Sequence, residues 1–291
     1  MAKSELTDLL VRFIKNRHEA FMNRELGKPK PWTKDPIIQQ YRFCNMYREL
    51  DTVTRWIAKN WRNPNTDDQD VWFAMVVARY INEPATMEQL GYPVPWRSAR
   101  WLNICEQLQE HKRRIFNAAY IIPTGVTKNT GPKHETLDKF FTHLWVHRAA
   151  FRPKAILNKK SHNPLLDFCT LLVRTPGVGT FMAGQVVADL KYTKPYLDCE
   201  DWWTFAVSGP GSRRGLNRVL GRGTDDRWSE QNWFEELTDL RIEVNKETDR
   251  VRMPPLHAQD LQNCLCEFDK WCRVYYKEGT SPKKRFDGAG A

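Results

Sequence analysis

A chain of 291 residues, 41% of them apolar, has ample material for one large domain or two small ones around a buried core. Its 45 Lys and Arg against 35 Asp and Glu leave a formal charge of +10, which is compatible with a polyanionic partner because cations on phosphate release counterions. No apolar stretch approaches the roughly twenty residues that span a bilayer, the start MAKSELTDLL has no signal-peptide core, and seven scattered Cys read as reduced thiols; a membrane-spanning or disulfide-stapled chain is not expected.

Residues 4–25 predict an amphipathic helix, with Leu6, Leu9, Leu10, Phe13, Ile14 and Phe21 on one face. Gly27-Lys28-Pro29-Lys30-Pro31 ends it. A second helix is predicted from Pro36 onward, with Thr33 or Asp35 as N-cap, running through Tyr47 toward Arg55. On it Arg42, Asn45, Arg48 and Asp51 recur at steps of three and would share a face. Such a stripe suits phosphates or an extruded base, and it suits equally an internal ion-pair network with Glu49 and Asp51.

Further along, Asp67 or Asp68 is placed to cap a helix over 71–81 that is apolar nearly all round, the pattern of a core centre. A short helix and turn over 84–97 and a long helix over 98–120 follow. The Gly/Thr/Pro-rich stretch 121–133 with Lys128, Lys133 and His134 reads either as a cationic cover for a phosphorylated substrate or as a surface loop. Residues 134–151 predict another helix. Its His143 and His147 stand four apart, but no third ligand is near, and Cys264, Cys266 and Cys272 lack the spacing of a four-Cys cluster. No metal is expected. Helices over 229–245 and 257–276 precede a tail, KKRFDGAGA, expected to be disordered. With no alternating strand pattern the fold class is all-α.

The chain is organised around residues 164–222. Leu165, Leu166, Phe168, Cys169, Leu171, Leu172 and Val173 recur at helical spacing and stop at Thr175-Pro176-Gly177. After Gly179 a second apolar run begins: Phe181, Met182, Val186, Val187 and Leu190. Two helices joined by Pro-Gly-Val-Gly form a tight hairpin, in which both glycines can take backbone angles closed to other residues and the amides can face an anion. A plain helical corner with a Gly C-cap is the other reading. Next, Asp198, Glu200 and Asp201 stand within four residues, followed by Trp202 and Trp203. In GPGSRRGLNR, Gly209-Pro210-Gly211 is a turn, Ser212 a natural N-cap for a helix over 213–220, and Arg213 and Arg214 oppose its dipole. A bound phosphate or pyrophosphate would relieve that conflict, and so would nearby acids. No Gly-Lys-Ser/Thr phosphate loop is present.

The TPGVG turn resembles the LPGVG hairpin of base-excision DNA glycosylases. The resemblance implies a helix-hairpin-helix with Gly177, Val178, Gly179 and Thr180 on the DNA backbone, and a functional aspartate about twenty residues on, where Leu197-Asp198-Cys199 falls. Thr180, Phe181 and Met182 replace the hairpin lysine of the covalent enzymes, which disfavours a lyase. More specifically, RFIKNRHEAF, PWTKDPI with YRFCNMYRE, and GPGSRRGLNR resemble the bacteriophage α-glutamyl/putrescinyl-thymine pyrophosphorylase-like family over roughly residues 10–275. That family includes amino-acid:DNA transferases and the helical domain attached to 5-hydroxymethyluracil DNA kinases. The resemblance implies a single glycosylase-like helical domain over 1–280 with lobes near 1–160 and 161–280, acting on thymine in phage DNA in the host cytoplasm. It implies double-stranded DNA with modified thymine and a free amino acid as partners, coupling to a kinase, and no cofactor. Asp198, then Asp201, would deprotonate the amine, and Arg213 and Arg214 would hold departing pyrophosphate. Trp202, Trp203 or the N-terminal aromatics would stack on a flipped base, and Arg42, Asn45, Arg48, Ser212 and Asn217 would contact DNA. A non-catalytic DNA-binding partner of a kinase, and a modified-base glycosylase using Asp198 to activate water, stay open.

Overall fold

The computed structural model describes residues 3–117, 131–157 and 161–279. Among them the secondary structure is helical, with no β-strand: α1 Lys3–Glu25, α2 Pro36–Gln40, α3 Thr52–Ile57, α4 Val71–Ile81, α5 Pro84–Leu90, α6 Ser98–Glu110, α7 Lys133–Val146, α8 Pro153–Leu157, α9 Pro164–Val173, α10 Thr180–Leu190, α11 Pro210–Val219, α12 Glu230–Asp249 and α13 Ala258–Tyr275. Lys128, the last residues of the helix expected over 98–120, and the KKRFDGAGA tail lie outside the described residues. Within them α6 already ends at Glu110, and residues 148–151 form a separate 3-10 turn rather than continuing α7.

The chain divides into two compact units, one of Met1–Asp51 with Ala206–Ala291, the other of Thr52–Phe205. The division is therefore discontinuous and does not fall at the single boundary near residue 160 that the sequence suggests. The reason lies in the core of the first unit. Leu9, Leu10, Phe13 and Ile14 of α1 are buried in one cluster with Leu216 of α11, Trp233 of α12, and Leu265 and Phe268 of α13. The apolar stripe of α1 is thus covered largely by helices from the far end of the chain.

Asp35 caps α2 as expected, its Oδ1 accepting the Ile37 and Ile38 amides at 2.8 and 3.1 Å, with Pro36 in the first turn. The predicted continuation does not occur, since α2 stops at Gln40. The amide of Cys44 donates to Glu267 Oε2 (3.1 Å), that of Asn45 to Asp51 Oδ1 (2.9 Å), and that of Arg48 to Asp260 Oδ1 (2.9 Å). Carboxylates, two of them on α13, thus take the place of helical carbonyls. Arg42, Asn45 and Arg48 therefore share no helix face.

In the second unit every residue of α4 is buried, as its pattern requires. Asp70, rather than Asp67 or Asp68, occupies its N-cap position, while Asp68 shapes the turn by accepting the Asp70 amide at 2.9 Å. Against α4 lies α10, joined to it by the buried pair Arg79–Asp189, whose two hydrogen bonds are 2.5 and 2.6 Å long; Arg79 also donates to Thr54 Oγ1 at 2.9 Å. A charged pair so enclosed must be fully hydrogen-bonded to be tolerated, and this one fixes the azimuth of α10 on α4. Around Phe73, edge contacts to Trp96, Phe141 and Trp145 complete an aromatic core.

Candidate functional site

The turn expected at TPGVG is present between two helices. Helices α9 and α10 flank a turn in which Gly177 takes φ +88°, a conformation that favours glycine. Tyr80 Oη donates to the Gly177 carbonyl at 3.1 Å and the Val178 amide to the Thr175 carbonyl at 3.0 Å, while the buried Val178 side chain anchors the turn from below. Gly179 departs from expectation. Its φ of −78° is open to any residue, and a Cβ built there would meet no described atom within 4 Å. Neither backbone angle nor internal packing requires glycine at this position. The first turn of α10 has no side-chain cap, and Gly179, Thr180 and Phe181 are exposed.

Past α10, a 3-10 turn at Lys194–Tyr196 leads into the acidic segment. Asp198 is exposed and has no ion pair among the described residues. Asp201 is different. It is buried, and its two oxygens accept the Leu165 and Leu166 amides at 3.3 and 3.0 Å, so it caps α9 where Asn163 does not. Burial raises its carboxyl pKa, against the lowering effect of those amides. The part of second general base expected for Asp201 thus gives way to a capping one. Between them, burial pushes the Cys199 thiol up to about 12, with Asp201 and Asp198 adding to it. Glu200 pairs with exposed His162 (2.8 Å), which raises the histidine pKa.

The two tryptophans are not equivalent. Trp202 is partly buried; its indole Nε1 donates to the Lys191 carbonyl at 2.9 Å, and Lys191 Nζ donates back to the Trp202 carbonyl at 2.8 Å. The same ammonium stands 4.0 Å from the Trp202 ring centroid. Trp203 is 44% exposed and meets Trp202 edge-on at 5.1 Å. Sequence reasoning passed over Lys191, which reads there as an ordinary cation ending an apolar helix.

The GPGSRRGLNR motif lies in the first unit, and its structure corrects the expectation attached to it. Gly209 is the N-cap of α11, and Ser212 sits inside the helix, its Oγ accepting the Gly209 amide at 2.9 Å. Ser212 is buried, as is Asn217, whose Nδ2 donates to the carbonyls of Thr224 and Asp226 at 3.1 and 3.0 Å. Arg213 binds Ser208 Oγ (2.9 Å), the Trp228 carbonyl (2.8 Å) and Glu230, and Arg214 pairs with Asp269 (3.0 Å). The dipole conflict is thus relieved by the protein's own acids, and the reason for placing a pyrophosphate on these arginines falls. The glycines serve packing. A Cβ on Gly215 would lie 2.1 Å from the Leu265 carbonyl oxygen of α13, and one on Gly211 would lie 2.5 Å from Cys266 Sγ. In the same unit Asn45 and Arg48 are buried, with Asn45 Oδ1 accepting from Arg17 at 2.7 Å and its Nδ2 donating to the Leu50 carbonyl at 2.8 Å. Neither presents itself to a ligand; Arg42 is exposed.

The family described as "5-hmdU DNA kinase, helical domain" matches residues 4–281. A 5-hmdU DNA kinase of Bacillus phage SP10 is 27% identical over 295 residues, covering 90% of this chain and 45% of that protein. The chain thus spans less than half the length of that relative. No solved structure matches. The chain belongs to the 5-hmdU DNA kinase helical-domain family.

Proposed function

We propose that this member of the 5-hmdU DNA kinase helical-domain family is a phage enzyme of thymine hypermodification that binds duplex DNA through a helix-hairpin-helix of DNA-glycosylase type. The observation that carries DNA contact is Gly179, a glycine without internal cause in an exposed turn that opens a helix with no side-chain cap. A side chain there would stand where a phosphate must approach, and the backbone amides would bind it without reading sequence. The kinase name of the phage SP10 relative points to 5-hydroxymethyluracil in DNA as the starting base. Because these residues contain no phosphate loop, the step assigned to them follows phosphorylation by a separate kinase activity.

In that step an amino-acid amine, glycine for example, displaces pyrophosphate from 5-(pyrophosphoryloxymethyl)uracil within DNA in the host cytoplasm. The base is first extruded, since its methylene is screened inside the stack. Asp198, exposed and unpaired among the described residues, takes a proton from the ammonium. The nitrogen lone pair forms the bond to the 5-methylene carbon, and the carbon–oxygen bond breaks with its electrons leaving on pyrophosphate. No cofactor is invoked.

The test is incubation with duplex containing the pyrophosphorylated base and a mixture of amino acids, followed by nucleoside mass spectrometry. A new thymidine adduct with pyrophosphate release is expected, lost in Asp198→Asn while duplex affinity stays near that of the unaltered protein. Unchanged nucleosides despite tight binding would replace the transferase with an accessory DNA-binding role. Free base with abasic sites would make the protein a glycosylase.

A further inference from the structure

Trp203 and the hairpin are parts of one rigid assembly. The residues just before Trp203 are tied to both hairpin helices: Asp201 takes the two leading amides of α9, and Trp202 exchanges reciprocal hydrogen bonds with Lys191, the residue that ends α10. Lys191 is 1% exposed, and its ammonium lies against two rings, 4.0 Å from the Trp202 centroid and 5.4 Å from that of Tyr192. Behind them the Arg62 guanidinium sits 4.8 Å from the Tyr192 centroid, and Tyr192 meets Trp202 edge-on at 5.5 Å. Arg62, Tyr192, Lys191 and Trp202 thus alternate cation and ring, and Trp203 lies against the last of them.

Burying a lysine is costly unless its charge is satisfied, and here the charge lies against indole and phenol faces where cation–π attraction is strongest. The result is a fixed mount for an aromatic that remains 44% exposed. A large ring held at the surface in one orientation loses little entropy on binding a flat partner. In a protein of net charge +10 with a phosphate-facing hairpin on the same mount, that partner is a nucleobase. The eleven residues of α10 separate tip from mount by about 16 Å of helix axis, so the ring reaches a different nucleotide from the one gripped at the tip.

Resting on the DNA-binding reading above, we propose that Trp203 is the stacking surface for an unstacked pyrimidine, and that Lys191 is a positioning residue which holds it, through Trp202, in fixed register with the hairpin. Trp202 itself touches no base.

The test uses the full chain and two fluorescein-labelled duplexes of one sequence, fully paired or with a central thymine opposite an abasic analogue. The unaltered protein is expected to bind the second duplex roughly tenfold more tightly, within the range for one base–aromatic stack. Trp203→Ala should erase that preference while leaving affinity for the paired duplex unchanged, and Trp203→Phe should keep most of it. Lys191→Met should reduce the preference, whereas a hairpin change, Gly179→Val, should weaken both duplexes equally. Equal preference in Trp203→Ala and the unaltered protein would overturn this proposal alone. No binding of either duplex by the unaltered protein would overturn the DNA-binding reading and the proposal with it. A lost preference in Trp202→Phe with Trp203 intact and Tm unchanged would transfer the stacking role to Trp202.

Discussion

Substituting Gly215 by Ala tests whether the arginine-rich motif is a helix-packing device. The added Cβ would stand 2.1 Å from the Leu265 carbonyl oxygen, 2.7 Å from its carbon and 3.1 Å from its Cα, all backbone of α13. Restoring an ordinary separation of about 3.5 Å requires α11 and α13 to part by more than 1 Å. That movement also stretches the Arg214 and Arg218 bonds to Asp269, now 3.0 and 2.9 Å. Overpacking of this kind costs about 3 kcal/mol, and the better helix propensity of Ala returns about 1 kcal/mol, leaving a net loss of about 2 kcal/mol. In thermal unfolding followed by circular dichroism this is a fall in Tm of about 4–8 °C. Gly211→Ala is the internal control, because its obstacle is the Cys266 Sγ at 2.5 Å, which can rotate away. The loss there should be smaller and removed by a second change, Cys266→Ala, which should do nothing for Gly215→Ala. A Gly215→Ala protein that melts with the unaltered one, or that Cys266→Ala rescues, would refute the reasoning.

Three further outcomes follow from the same contacts. Asp189→Ala leaves the buried Arg79 guanidinium uncompensated and should cost about 3–5 kcal/mol in urea unfolding, most of it regained in the apolar pair Arg79→Met with Asp189→Leu. Asn45→Ala removes one acceptor of Arg17 and the donor to Leu50, so it should lower stability by about 1–3 kcal/mol while the folded protein keeps its affinity for duplex DNA. Histidine titration by NMR should place His162 above its ordinary value, through its hydrogen bond and charge interaction with Glu200, and His18 below it, through burial and then Arg17. The signs differ in consequence. The His162 contribution is present below the ordinary histidine pKa and fades as pH rises through the raised one, and Glu200→Gln should abolish it. His18 binds its proton more weakly folded than unfolded, so its protonation erodes stability as pH falls below about 6.5.

The positions of several elements are legible because local chemistry alone fixes them. The apolar run of α4 has a helix's length and no polar face, the Asp35-Pro36 pair signals its own cap, and Pro-Gly-Val-Gly forces a turn between two apolar runs. The family resemblance rests likewise on strings that are read without coordinates. The exposed Gly179 and Thr180 and the exposed Asp198 belong to the same class, since a turn tip and a polar segment are surface features by composition.

What required the tertiary structure was the destination of each polar group. Arg42, Asn45 and Arg48 have helical spacing, yet Glu267 and Asp260, more than 200 residues away, capture the backbone and unwind the helix between them. Arg213 and Arg214 look uncompensated only until Glu230 and Asp269 are brought to them, and Ser212 looks like a cap only until the turn of helix before it forms. Periodicity records which residues avoid water, a property each residue carries by itself. Pairing records which charges and amides meet, and that depends on chain closure, which in this protein brings α1 beside α11, α12 and α13.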